Sequence, residues 1–149
     1  MNGALEASVV MEQFQSRYHS GCYVCQHGHG SGLDVDYKVS ESGQVQAVFD
    51  CLPSWRGYHG WVHGGVIASV LDGAMTHCLF AKGVAGVTAD LRIRYRLPLR
   101  IGQKALVVAV LQRDTSPIYV VDARIEQAGK IHVVSAGKFM GMAANKELW

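Results

Sequence analysis

The chain has 149 residues, 49% of them hydrophobic and 17% charged, with a formal net charge of +2. That balance fits a globular protein and excludes a disordered or polyanion-coating one, so nucleic acid is not an expected partner. At this length a single domain over residues 1–149 buries about two thirds of its unfolded surface and needs no metal or disulfide staple.

No apolar run reaches the roughly 20 residues that span a bilayer. Glu6 and Glu12 stand where a secretory leader would be basic and then apolar. The expectation is a cytoplasmic protein with no membrane partner and four reduced cysteines.

Residues 4–18 can form a loosely periodic amphipathic helix through Leu5, Val9 and Phe14, making residues 1–20 an N-terminal helical extension. A glycine-rich loop follows over 21–32. Residues 33–39 alternate apolar and polar as a half-buried strand does. Glu41-Ser42-Gly43-Gln44 then supplies turn chemistry before a second strand over 45–51, so a hairpin is expected. Residues 53–62 read as a loop carrying Trp55, Tyr58, His59 and Trp61, and a helix then runs from Gly64 to Phe80. Beyond it the period changes to two. Leu91, Ile93, Tyr95 and Leu97 alternate with Asp90, Arg92, Arg94 and Arg96, and further strands cover 105–112, 118–126 and 131–140, with a tight turn at Ala128-Gly129. One helix among these strands implies an α+β fold with an antiparallel sheet wrapped around a central helix. Long apolar strands leave an edge that a second copy would cover, so a homodimer or homotetramer is expected.

The segment from His63 through Asp72 is the most informative. Ile67, Val70, Leu71, Ala74, Met75 and Cys78 form a helical core face, while Ser69, Asp72 and Thr76 form a polar stripe beside it. The backbone N–H groups of the Gly64-Gly65 start have no intrahelical partners and carry the positive end of the helix dipole, which suits a developing oxyanion. From spacing alone Asp72 reads more simply as the solvated side of an amphipathic helix than as a catalytic group.

The chain resembles the PaaI-type acyl-CoA thioesterases of the hotdog-fold superfamily. The resemblance rests on Gly21-Cys22-Tyr23-Val24-Cys25 with Gly32-Leu33, on Trp55-Arg56-Gly57-Tyr58-His59-Gly60, on His63-Gly64-Gly65 with Asp72, and on the run from Val87 to Tyr95 with Pro98. It implies a hotdog fold with active sites at a dimer interface and hydrolysis of an acyl-CoA to free acid and CoA. It also implies Asp72 as nucleophile or general base, the Gly64 N–H on the thioester carbonyl, His63 holding the turn and lining the site, and Thr88 positioning the attacking water. Two departures stand out: Gly57 where relatives carry an Asn or Gln, and no Asn-Pro before Gly32-Leu33. Strand alternation puts Thr88 on one face with Asp90 and Arg92, opposite Leu91 and Ile93 and away from the core.

Other residues carry weaker signals. Gly65, Tyr58, His59 and Trp61 are candidate substrate contacts, the aromatics as walls of an acyl pocket or merely as loop packing. Arg92, Arg94 and Arg96, with Arg100 and Lys104, form a basic ladder that matches CoA phosphates or else a solvated strand face. Cys22-x-x-Cys25 with His27 and His29 has zinc-ligand residue types, but four ligands within eight residues make a very small loop, so neither metal nor cofactor is expected. Beside the hydrolase reading stand a non-catalytic acyl-CoA or acyl-carrier binding protein and a small zinc-binding interaction module.

Overall fold

The computed structural model describes residues 2–28 and 30–142. It contains α1 (Asn2–Tyr18), β1 (Lys38–Val39), β2 (Val45–Asp50), a 3-10 turn (Pro53–Trp55), α2 (Gly64–Phe80), β3 (Gly86–Tyr95), β4 (Lys104–Thr115), β5 (Ile118–Gln127) and β6 (Lys130–Gly141). The strands form one antiparallel sheet in the order β1-β2-β4-β5-β6-β3. This is the α+β hotdog arrangement, the sheet curling around α2. No helix among the described residues is long and apolar enough to cross a membrane.

Alternation sets the sheet's inner face. In β5 the side chains of Tyr119, Val121, Ala123 and Ile125 are buried, and in β6 those of Val133 and Phe139. Ala128 and Gly129 join the two strands with φ of 51° and 74°, the double left-handed geometry of a type I′ hairpin. Against this face α2 packs Leu71, Ala74, Met75 and Leu79, all fully buried, each large side chain contributing about 1.5–3 kcal/mol by leaving water.

The other side of α2 is covered as well. Phe14 of α1 meets Phe80 with ring centres 6.2 Å apart, and Tyr37 meets His77 at 4.5 Å. A Cβ on Gly73 would stand 2.5 Å from the Tyr37 hydroxyl and 2.9 Å from Val24, so only glycine lets this layer approach. The polar stripe expected along α2 is therefore cut short, because Thr76 is buried.

The expected strand over 33–39 also differs. Only Lys38 and Val39 pair with β2, while Leu33 and Val35 donate their N–H groups to the carbonyls of Tyr23 and Val24. The burial alternation is real, since Leu33, Val35 and Tyr37 are buried. The backbone, however, bonds to the cysteine loop instead of a strand.

One local irregularity overturns the placement of Thr88. The β3–β6 register shifts between Thr88 and Asp90, so that Thr88 opposes Phe139 while Asp90 opposes the next residue, Lys138. A bulge at Ala89 inserts one residue and flips the alternation. Thr88 thus shares the inner face with Leu91 and Ile93, toward α2, and not the outer face of Asp90 and Arg92. On its other side β3 has no partner strand among the described residues, which leaves a ten-residue edge open.

Candidate active site

His63 begins the site as the N-cap of α2. Its backbone N–H donates to the Trp55 carbonyl at 2.8 Å, its own carbonyl accepts from Val66 and Ile67, and its Nδ1 accepts from the Gly65 N–H at 2.9 Å. Three of the first four helix donors are thereby satisfied. The remaining one, the Gly64 N–H, has no acceptor among the described residues. Gly65, expected as a substrate contact, has its N–H committed to His63.

Gly64 lines a cleft of about 760 Å³ together with Gly57, Tyr58, Trp61, Ile67 and the 95–99 segment that leaves the open edge strand. Tyr58 is 82% exposed and Trp61 45%, their rings edge to face at 6.3 Å, so this aromatic pair offers apolar area that the chain itself leaves uncovered. His59 is exposed and is not part of the lining. Gly57 has a packing reason to be glycine: a Cβ there would meet His63 at 3.2–3.4 Å. A side chain at position 57 would push on the residue that caps α2.

Tyr95 is a contributor that sequence reasoning passed over. Its hydroxyl donates to the Gly64 carbonyl at 2.8 Å, and partial burial pushes the phenol above its usual pKa, which keeps the donor proton in place. The available signal was a tyrosine in the inward-facing series with Leu91 and Ile93, since an inward phenol needs a hydrogen-bond partner.

Two turns along α2, Asp72 accepts a hydrogen bond from the Thr88 hydroxyl, Oγ1 to Oδ1 at 2.6 Å. The bulge at Ala89 makes this contact possible. A rise of 1.5 Å per residue separates Gly64 and Asp72 by about 12 Å along the helix. The free N–H at the start of α2 and the held carboxylate at its middle are thus both flanked by β3.

Arg92 and Arg94 lie on the opposite face of the sheet, where they line a second groove with Val108, Val110, Asp122 and Arg124, and Arg92 Nε sits 3.3 Å from Asp90. Within the basic ladder only Arg96 lines the cleft beside Gly64. Lys104 pairs with Asp50 at 2.8 Å. The zinc reading through His27 and His29 also changes: His27 pairs with Asp34 and Asp36, and His29 lies outside the described residues.

The family model for the thioesterase superfamily matches residues 59–134, the stretch holding His63, Gly64, Asp72, Thr88 and Tyr95. Acyl-coenzyme A thioesterase THEM4 of Rattus norvegicus is 28% identical over 125 residues, 83% of this chain and 54% of the relative. The chain thus spans about half the length of this curated relative. The PaaI protein from the phenylacetic acid degradation operon of E. coli superposes with a TM-score of 0.79 over 94% of this chain and 96% of its own, at 18% identity. The smu.793 protein from Streptococcus mutans UA159, bound to acetyl CoA, superposes with a TM-score of 0.70 over 81% of this chain and 100% of its own, at 20% identity.

Proposed function

Because the chain belongs to the thioesterase superfamily, we propose that it hydrolyses an acyl-CoA thioester to a carboxylic acid and CoA, in a site that two copies build together. The observation that carries this reading is the Asp72 carboxylate held by Thr88 on a helix whose first N–H is free. Relatives and neighbours named for acyl-CoA hydrolysis or acetyl-CoA binding support the substrate class.

Helix geometry supports a site built with a second copy. A carbonyl carbon and its oxygen are only about 1.2 Å apart. An N–H on the oxygen and a carboxylate or its water at the carbon each work at about 3 Å, a closer approach than an axial rise of about 12 Å between Gly64 and Asp72 favours. The open β3 edge supplies a solution. Two β3 strands paired antiparallel about a two-fold axis near the middle of the strand bring the Thr88 end of one toward the Tyr95 end of the other. Each site then combines Asp72 and Thr88 of one protomer with Gly64, Tyr95 and the aromatic cleft of the second. The exposed Tyr58–Trp61 pair is covered in the same step.

At such a site the Gly64 N–H and the helix dipole stabilise the oxyanion as the carbonyl is attacked. Thr88 occupies Oδ1 of Asp72, leaving Oδ2 to take a proton from the attacking water. Collapse of the tetrahedral intermediate breaks the carbon–sulfur bond, and the departing thiolate receives that proton. Direct attack by Oδ2, giving an acyl–Asp72 anhydride that water then opens, uses the same groups.

The test is release of free CoA from a panel of acyl-CoA thioesters graded in chain length and including aryl-acyl members. Turnover of at least one member by the wild type, and its loss in Asp72→Asn, is the expected result. A folded wild-type protein that hydrolyses no member of the panel overturns the reading.

A further inference from the structure

The most unusual cluster outside the cleft lies behind α2. The sulfur and nitrogen ligand atoms of His19, Cys22 and Cys25 all stand within 4.8 Å of one another. We propose that His19, Cys22 and Cys25, with His77 as the fourth ligand, form a structural zinc-class cation site that fastens the end of α1 and its loop to the helix carrying Asp72.

Local backbone structure shapes the three ligands from the loop. The Cys22 N–H donates to the His19 carbonyl at 3.0 Å, the Gln26 N–H donates to the Cys22 carbonyl at 3.0 Å, and the Val24 N–H donates to Cys22 Sγ at 3.4 Å. The chain thus turns tightly around the sulfur and aims an amide at it, the kind of outer contact that steadies a metal-bound thiolate. The His-x-x-Cys-x-x-Cys spacing places all three residues on one compact turn. Cys25 Sγ and His19 Nδ1 are 3.6 Å apart. Ligands at 2.3 Å for sulfur and 2.0–2.1 Å for nitrogen, at a tetrahedral angle, stand about 3.6 Å apart.

His77 provides an independent observation. It is fully buried, its Nδ1 donates to the Gly73 carbonyl at 2.7 Å, and its Nε2 has no partner among the described residues. A carbonyl can only accept, so in the neutral ring Nδ1 holds the proton and Nε2 presents a bare lone pair. A metal-bound histidine has this arrangement, one nitrogen on the ion and the other donating to a carbonyl. The His77 ring meets that of His19 edge-on, with centroids 6.1 Å apart, on the side of α2 that faces the loop, so it adjoins the three-ligand group although its own nitrogens stand outside the 4.8 Å grouping. Two thiolates and two neutral imidazoles neutralise a divalent ion, which suits a buried location. On binding, the ion displaces the two thiol protons to solvent.

The experiment uses the full chain, purified under reducing conditions. Metal analysis is expected to find stoichiometric zinc. Co(II) added to metal-free protein is expected to give thiolate-to-cobalt charge-transfer absorption and the intense visible bands of a tetrahedral centre. Cys22→Ser and Cys25→Ser should each weaken the charge-transfer band and their combination remove it, while Cys51→Ser leaves it unchanged. His77→Gln should alter the visible bands. A strong chelator should lower the Tm of the wild type but not that of the double cysteine variant. Folded, reduced wild type that holds no zinc and gives no cobalt spectrum overturns the site, as does a spectrum that survives loss of both cysteines. Unaltered bands in folded His77→Gln remove the fourth ligand.

Discussion

Thr88 donates its hydroxyl to Oδ1 of Asp72 at 2.6 Å, a bond from the sheet's open edge to the central helix that exists because β3 carries an extra residue at Ala89. This bond fixes one carboxylate oxygen and orients the other. Asp72→Asn is expected to lower kcat by about 10²- to 10⁴-fold, the usual contribution of a positioned base. Thr88→Val removes one hydrogen bond to a charged group, worth about 1.5–3 kcal/mol, and should lower kcat by roughly 10- to 100-fold with little change in KM. Thr88→Ser should restore most of the loss. Steady-state kinetics on the three variants, with circular dichroism as a folding control, decide the matter; wild-type kcat in Thr88→Val would remove it from any positioning role.

Gly64 allows the backbone donor to be deleted without disturbing the helix. Proline is favoured at the first helical position, and the extended conformation of His63, φ −60° and ψ 133°, is one that a residue before proline adopts. Gly64→Pro is therefore expected to fold normally and to lose about 10²- to 10³-fold in kcat, as removal of an oxyanion donor does. Gly64→Ala is the control, because its added methyl would meet the Tyr95 ring at an ordinary 3.6 Å. Thermal melts should place both near the wild type, and equal kcat for Pro and Ala would show that the N–H does not act.

Much of this architecture is legible in the residue pattern. The bounds of α2 coincide with the Gly64–Phe80 periodicity, and β4, β5 and β6 extend only one to three residues beyond the alternating runs. The failures have two related causes: periodicity does not report backbone partners, and it reports faces only where a strand is regular. Leu33, Val35 and Tyr37 alternate as a strand does, yet their backbone is bound to the cysteine loop. Alternation puts Thr88 on the outer face, and the bulge that turns it inward leaves no mark on composition at Ala89. Thr76 and His77 look polar along the helix, and they are buried because α1 and the loop return over them from far away in sequence.

Two cysteines should be chemically silent. Burial pushes the Cys51 thiol up to about 11 and the Cys78 thiol up to about 12, so both stay protonated at pH 8, where the thiolate is the reactive form. In a Cys22→Ser, Cys25→Ser background an aromatic disulfide reagent should react with neither thiol in the native protein and with both after denaturation. Rapid labelling at pH 8 without denaturant would show that these sites open far more readily than the packing implies.

The basic ladder is expected to divide by face. Arg96 lines the cleft beside Gly64, whereas Arg92 sits on the far face of the sheet against Asp90. If Arg96 receives CoA phosphates, Arg96→Ala should raise KM for acyl-CoA and leave kcat nearly unchanged, while an acyl-pantetheine lacking the nucleotide is hydrolysed as before. The difference should shrink in high salt, since exposed charges are screened beyond about 8–10 Å near physiological ionic strength. Equal KM increases for both substrates would assign Arg96 to the fold instead.

The proposed shared site makes a sharper demand, because it draws its two halves from different chains. Asp72→Asn and Gly64→Pro should each be nearly inactive alone. When the two proteins are unfolded together and refolded, each mixed dimer contains one site made from the intact Asp72 of the second variant and the intact Gly64 of the first. Its other site combines both lesions. Random pairing makes half the dimers mixed, so about a quarter of the wild-type activity should return. Were Asp72 and Gly64 of one chain to serve the same carbonyl, every site in the mixture would carry a lesion, and mixing would restore nothing. Fold quality cannot mimic the result, because a misfolded variant would not complement its partner. An inactive mixture that light scattering shows to contain dimers would overturn the two-chain site while leaving the hydrolase reading to stand on the wild-type activity.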